Sequence, residues 1–321
     1  MSPPNPEPEL VEVADGILRV TFPLPLGIDH VHCYLLRSGD GSWTAVDTGL
    51  GVPEAEERWV SVLGRVGGRV RRIVITHFHP DHAGAGAILA RLTAAPVLQG
   101  ALDYAQCVRA FGAERSPKRL LAYLERHGLP PTEGDRFRAE SDALAQWVAL
   151  QPEPRPLAPG DQVDGWEVLH LPGHADGHLC LWREGVLIAG DALLASISPN
   201  VGLYPESRPD PLADYLGSLG RIAELAPAVA FAGHGPTIES PVDRARELVG
   251  HHEERLEQTL EALDAEPRTA YEVSLSLFPD ALASVERRFA LVEARAHLEH
   301  LVGQGRVRRD ADGELTRYAT G

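Results

Sequence analysis

Short apolar runs, broken by turn residues, dominate the first hundred positions. Residues 11–13 and 17–22 flank Ala14-Asp15-Gly16, and residues 31–37 and 43–46 flank Ser38-Gly39-Asp40-Gly41, a pattern that predicts two β-hairpins. Val70, Ile73, Val74 and Ile75 make residues 69–76 a mostly buried strand, followed by a polar turn, a helix over 83–92 and a strand over 97–99. From Gly100 to about Trp147 the spacing becomes helical, with Leu120, Leu121 and Leu124 on one face and a break at Gly128-Leu129-Pro130-Pro131. This stretch, about residues 100–150, reads as an insertion between strands, either a lid over a pocket or a dimer face. Residues 151–159 hold four prolines and read as a connector.

Strand patterns return at 166–171, 178–182, 186–189 and 228–231, the middle two joined by Arg183-Glu184-Gly185. Hairpins with helices between them suggest an α/β sandwich over residues 1–240. After Pro241 the spacing is helical to about Gly305. Leu256, Leu260 and Leu263 recur on one face, as do Val285, Phe289, Val292 and Ala296, before two short strands at 306–309 and 315–318. Three helices and a β-wing predict a winged-helix-like domain over 241–321.

Composition narrows the function. In 321 residues there are 30 Lys+Arg against 46 Asp+Glu, a net charge of −16, which repels polyanions unless the basic residues are concentrated. Only Lys118 is a lysine, so the arginine content reflects coding bias rather than arginine-specific recognition. Cys33, Cys107 and Cys180 are odd in number, far apart and outside any CxxC pair; neither a disulfide framework nor a cysteine zinc site is expected. The first ten residues lack a basic start and an apolar run, and no stretch approaches the ~20 apolar residues of a membrane span. A cytoplasmic protein without membrane contact is expected.

The chemistry concentrates in Thr76-His77-Phe78-His79-Pro80-Asp81-His82, four candidate metal ligands within six residues where a buried strand ends. Residues two apart at a strand terminus point the same way, and the turn after Pro80 can swing Asp81 and His82 around a second position, so such a turn could hold two metals. His174 in Leu171-Pro172-Gly173-His174, Asp191 in Gly190-Asp191 and His234 in Gly233-His234-Gly235 each follow an expected strand. Ligands at the carboxyl ends of neighbouring strands converge on one sheet edge.

With these motifs the chain resembles the metallo-β-lactamase-fold hydrolases over most of residues 10–240. The winged-helix-like tail and Asp210-Pro211-Leu212-Ala213-Asp214-Tyr215-Leu216 make it similar to the lactamase-beta-like and glyoxalase-II-like subgroup. The resemblance implies an αββα sandwich. It also implies that His77, His79 and His174 hold one metal, that Asp81, His82 and His234 hold the other, and that Asp191 bridges. Asp47, in Val46-Asp47-Thr48-Gly49, would orient a ligand from below. Two Zn(2+) ions per chain are implied, and the ligand types also accept iron or manganese. A glutamate at the second His of the motif would mark the redox diiron branch; this chain has His79.

Such a site points to hydrolysis by an activated water, with Asp81 and Asp191 as the catalytic carboxylates and no Ser or Cys nucleophile. The expected substrates are small esters, most of all thioesters or lactones. The alternative is a metal-dependent single-strand endoribonuclease; a DNA-binding regulator with a sensing metal fold is a third reading. Nucleic acid is not the favoured partner, because residues 268–321 hold eight arginines and eight acids. The tail is then structural or serves a homodimer. Tyr204 is a candidate substrate contact, on a loop leaving the metal edge. His30, His32, His170, His178, His251, His252, His297 and His300 are expected to be packed, hydrogen-bonded or solvated rather than ligands.

Overall fold

The computed structural model describes residues 7–321 apart from residues 26, 152, 264, 265, 280, 281 and 283. Its first sheet begins as an antiparallel meander of β1 (Glu9–Ala14), β2 (Ile17–Pro23), β3 (His30–Arg37) and β4 (Trp43–Val46), with both expected hairpins in place. Helix α1 (Ala55–Val66) then crosses over to β5 (Val70–Ile75), which lies parallel to β4. After α2 (Pro80–Ala83) and α3 (Gly86–Thr93), the parallel strand β6 (Val97–Gly100) leads into the insertion, α4 (Ala101–Phe111), α5 (Pro117–Arg126) and α6 (Pro131–Ala145). The parallel strand β7 (Arg155–Leu157) closes this seven-stranded sheet at its edge.

The second sheet runs β12-β11-β10-β9-β8. Its strands are β8 (Gln162–Val163), β9 (Trp166–His170), β10 (Leu179–Arg183), β11 (Val186–Gly190) and, after α7 (Pro211–Leu225), β12 (Val229–Ala232). Helices α8 (Pro241–Glu261), α9 (Ala270–Leu277) and α10 (Ser284–Gly303) and the hairpin of β13 (Val307–Asp310) and β14 (Arg317–Thr320) complete the chain.

Period-two alternation in the strands makes this four layers. Tyr34, Leu36, Val46 and Val74 from the first sheet meet Val168, Leu181, Ile188 and Phe231 from the second, forming the core between the sheets. Their sequence neighbours Cys33, Leu35, Ala45, Ile73 and Ile75 face the other way, onto Trp59 and Val62 of α1 and Leu89 of α3. Leu169, Cys180, Leu187, Ala189 and Ala230 cover the outer face of the second sheet, against Leu212, Tyr215 and Leu219 of α7. The result is the expected αββα sandwich. Ala245 and Leu248 of α8 and Ala294, Leu298 and Leu301 of α10 belong to that same outer core, so the C-terminal helices continue the catalytic layer.

Five elements depart from the sequence reading. Helices α1 and α7 lie where no element is expected, although Ala55, Trp59 and Val62 are buried at helical spacing. The proline-rich connector contains β7, where Pro156 is tolerated because an edge strand needs fewer ladder donors. The single helix expected over 83–92 is divided between α2 and α3 by Gly84. A Cβ there would meet Pro80 O at 2.1 Å and Trp147 O at 2.9 Å, because the chain leaving the insertion passes over it, with Gly51 N donating to Trp147 O and Ala149 N to Gly84 O. The second wing strand sits two residues later than expected. The expectation for Val285 concerns a side chain outside the described residues.

Candidate metal centre

The two sheets are stitched together along one edge: Leu179 N donates to Thr76 O at 2.8 Å and His32 N to Gly233 O at 2.7 Å. All seven candidate ligands gather there. His77 follows β5, His79 is the N-cap of α2, and Pro80 at the first helical position aims Asp81 and His82 out of a single turn. His174 sits in the loop after β9, Asp191 follows β11 directly, and His234 follows β12.

Three overlapping groups have ligand atoms within 4.8 Å of one another: His77, His79 and His174; His77, His82 and Asp191; Asp81, His82 and His234. Asp191 lies between them, its Oδ2 at 3.2 Å from His234 Nε2, 3.5 Å from His82 Nε2 and 3.7 Å from His174 Nε2. Asp81 Oδ2 is 3.3 Å from His234 Nε2, and His77 Nε2 is 3.0 Å from His79 Nδ1.

The outward ring nitrogens are tied down. His82 Nδ1 donates to Asp47 Oδ2 at 2.8 Å, His174 Nδ1 to Asn200 O at 2.8 Å, and His234 Nδ1 to His30 O at 2.7 Å. Each bond fixes the tautomer and leaves an Nε2 lone pair facing the centre. His82 Nε2, His174 Nε2 and Asp191 Oδ1 are buried and have no hydrogen-bond partner among the described residues. Leaving a buried polar atom unsatisfied costs about 1–3 kcal/mol each, so three of them within one cluster of ligand groups fit bound cations. Gly233 is part of the cradle, for a Cβ there would lie 2.3 Å from Asp191 Oδ1 and 2.6 Å from His82 Cε1. Imidazoles with carboxylates are donors suited to small dications such as zinc.

Electrostatics agree with that fit. Burial alone would raise Asp191 and Asp81, yet His234 and His82 hold Asp191 well below the usual carboxylate range, and His82 and His234 bring Asp81 to about 2. Burial opposes the charge on His234, but Asp191 and Asp81 outweigh it and push the ring up to about 10; His82 is raised in the same way. Burial and then neighbouring rings lower His77 and bring His79 down to about 3. The carboxylates therefore demand positive charge at this point.

Asp47 lies beneath the centre at φ +62°, a left-handed conformation that Asp tolerates better than most residues. Its Oδ1 accepts from Thr76 N and its Oδ2 from Thr76 Oγ1, both at 2.8 Å, in addition to His82. His178 is fully buried and does not join the cluster; its Nε2 accepts from Asp191 N at 3.1 Å, and its ring stacks on His77. His30 Nε2 accepts from Gly235 N, and His32 Nε2 donates to Gly235 O, so this pair locks the His234 turn from both sides.

Asp103, in the first turn of α4, is a functional residue outside the sequence reading. It accepts from Phe78 N at 3.0 Å and Gln99 Nε2 at 2.6 Å, fixing the turn between His77 and His79, and burial pushes its carboxyl up to about 8. Tyr204 packs against Leu124, Leu129 and Phe137 of the insertion region and Leu291 and Val292 of α10. His252 and His297 are buried together at 3.2 Å, and His300 pairs with Asp210 at 2.9 Å.

The profile of the Metallo-beta-lactamase superfamily matches residues 26–234, and that of the Metallo-beta-lactamase-like, C-terminal domain matches residues 256–321. A metallo-beta-lactamase family protein of Thermus thermophilus superposes with a TM-score of 0.84 at 37% identity, covering 97% of this chain and 100% of that one. The probable metallo-hydrolase YqjP of Bacillus subtilis is 28% identical over 95% of this chain and 98% of its own length. The atrochrysone carboxyl ACP thioesterase of Aspergillus fumigatus is 22% identical over 80% of this chain and 67% of its own.

Proposed function

Because the chain belongs to the metallo-beta-lactamase superfamily and is a hydrolase of that kind, we propose that it cleaves small acyl substrates, thioesters or lactones, at a pair of zinc ions. The observation that carries this reading is the convergence of seven ligand side chains on one edge, with His82 Nε2, His174 Nε2 and Asp191 Oδ1 orphaned toward its centre. His77, His79 and His174 would hold one ion and Asp81, His82 and His234 the other, with Asp191 lying between the two groups. Bound there, the cations supply a water activated at neutral pH and polarise the substrate carbonyl.

The remaining work falls to side chains. Asp81, more open than Asp191 at 17% against 8% side-chain exposure, would orient the incoming water. Asp47, held by Thr76, keeps His82 facing inward. Exposed Ile28, Ile197 and Phe289 lie on segments tied to the site: Ile28 two residues before His30, Ile197 three before Asn200, and Phe289 through its carbonyl, which accepts from Asn200 Nδ2. These suit an uncharged acyl group. A relative named for an acyl-carrier thioesterase supports the same substrate class.

Charge pairing in the C-terminal region counts against the ribonuclease reading. Arg306 pairs with Glu257, Arg309 with Glu299 and Arg317 with Glu272, so carboxylates stand beside three of the arginines that a phosphate backbone would need. We assign its winged-helix-like arrangement a structural role. Buried, unpaired Cys33, Cys107 and Cys180 suit a reducing compartment such as the cytoplasm.

Purified protein should carry two zinc ions by elemental analysis and accelerate hydrolysis across a panel of thioesters and lactones, with His79→Ala abolishing turnover. Metal-loaded protein that leaves the whole panel untouched would sink the substrate reading.

A further inference from the structure

Of the outward imidazole bonds, those of His77, His82 and His234 end on the sheet edge itself, at Thr76, Asp47 and His30. The bond of His174 is different. His174 Nδ1 donates to the backbone carbonyl of Asn200, which lies on the long loop between β11 and α7. Arg244 of α8 holds the loop upstream, donating to Leu194 O and Ile197 O, and Tyr123 of α5 donates to Leu203 O, but the stretch around Asn200 takes its anchor from the C-terminal helix α10. Asn200 Nδ2 donates to Glu293 Oε2 at 2.7 Å and to Phe289 O at 3.3 Å, and Leu203 N donates to Val292 O at 3.0 Å. Glu293 is only 8% exposed, so its bond to Asn200 is shielded from competing water.

We infer that Glu293 is a positioning residue for the metal centre, holding Asn200 so that its carbonyl fixes His174 with Nε2 turned inward. A helix that follows all the strands of the sandwich thereby orients one ligand of one ion. The outward bonds of His82 and His234 end elsewhere and do not pass through Glu293. The rest of the His174 loop is held separately, with Ser218 Oγ donating to Pro172 O and Gly173 pressed on the Tyr215 backbone. The effect is therefore selective and partial.

The inference rests on the two-ion reading above but not on its substrate, and the test reads metal rather than turnover. Chelator competition on the full chain, with zinc and with cobalt, gives both affinities for wild type, Glu293→Ala, Glu293→Gln and Asn200→Ala. Loss of an oriented imidazole partner weakens metal binding about 10–100-fold. In Glu293→Ala one ion should weaken by at least about tenfold on that scale while the other stays within about twofold. Glu293→Gln should keep both, because its amide oxygen still accepts from Asn200. Asn200→Ala, which retains the backbone carbonyl but loses the anchor, should match Glu293→Ala, and the double variant should be no weaker than either. If Glu293→Ala does not fold, the contrast between Asn200→Ala and Glu293→Gln carries the same decision. Wild-type affinity in Asn200→Ala, parallel weakening of both ions, or failure of Glu293→Gln to rescue overturns the assignment. A wild type that retains no ion overturns the two-ion reading instead.

Discussion

Asp47 shows how much one residue carries: a carboxylate with two hydrogen bonds to Thr76 and one to His82, in a left-handed backbone conformation. Asn tolerates that conformation and Ala does so poorly, so Asp47→Asn separates the charge from the strain. It should weaken metal binding about 10–100-fold by chelator competition, with a melting temperature close to wild type; Asp47→Ala should lower both. Gly233 and Gly235 form a second pair. Gly235 has φ +76° and open space around a would-be Cβ, whereas a Cβ at 233 collides with Asp191 and His82. Gly235→Ala should therefore cost about 1 kcal/mol of stability and spare the metal, while Gly233→Ala should strip metal as measured by elemental analysis. The candidate ligands were legible because four of them fall within six residues and the other three each follow a strand beside glycine. Asp103 and Asn200 were not, because their partners, Phe78 and His174, lie 25 and 26 positions away and neither residue type signals its role alone.

At the scale of elements, alternating apolar strands announced both sheets, whereas pieces defined by contact rather than pattern escaped: β7 exists through its pairing with β6, and the break between α2 and α3 through the chain crossing Gly84. The insertion is bound to α10 by Leu124, Leu129 and Phe137 against Leu291 and Val292, with Tyr123 donating to Leu203 O. Phe137 is 3% exposed, and Phe137→Ala should cost about 3–5 kcal/mol in chemical denaturation. Glu293, on the same helix, gives a pH signature. Burial pushes its carboxyl from 4.5 up to about 7. Between those values the unfolded chain has released this proton and the folded chain has not, so stability falls as pH rises from 4.5 to 7, by up to ~3 kcal/mol. Glu293→Gln should flatten that part of the stability profile measured by denaturant titration at successive pH values.

For the whole molecule, the sequence divides at about residue 240, where strand patterns stop and helical spacing begins, but packing does not respect that line. Leu248, Leu256, Ala294, Leu298, Leu301 and Tyr318 are buried in one cluster with Leu187, Leu212, Leu219 and Ile222 of the sandwich. Helix α8 packs on α7, and α10 reaches α6, α7 and the Asn200 loop, so the C-terminal region serves as the outer wall of the second sheet. Period-two and helical patterns report which face of an element is apolar and are silent about which partner covers it, and the boundary drawn from them therefore differs from the boundary of the core. A fragment ending at residue 240 would expose the surface that wall covers, including Leu212, Leu219 and Ile222 of α7, and apolar burial at ~25 cal/mol per Å² makes this costly for residues each nearly inaccessible in the full chain. The fragment should elute as aggregate or be recovered insoluble, and should melt well below the full chain in any soluble fraction. A monodisperse fragment with an unchanged melting temperature and wild-type metal affinity would show instead that the sandwich closes by itself, and would leave Glu293 without a part in the site.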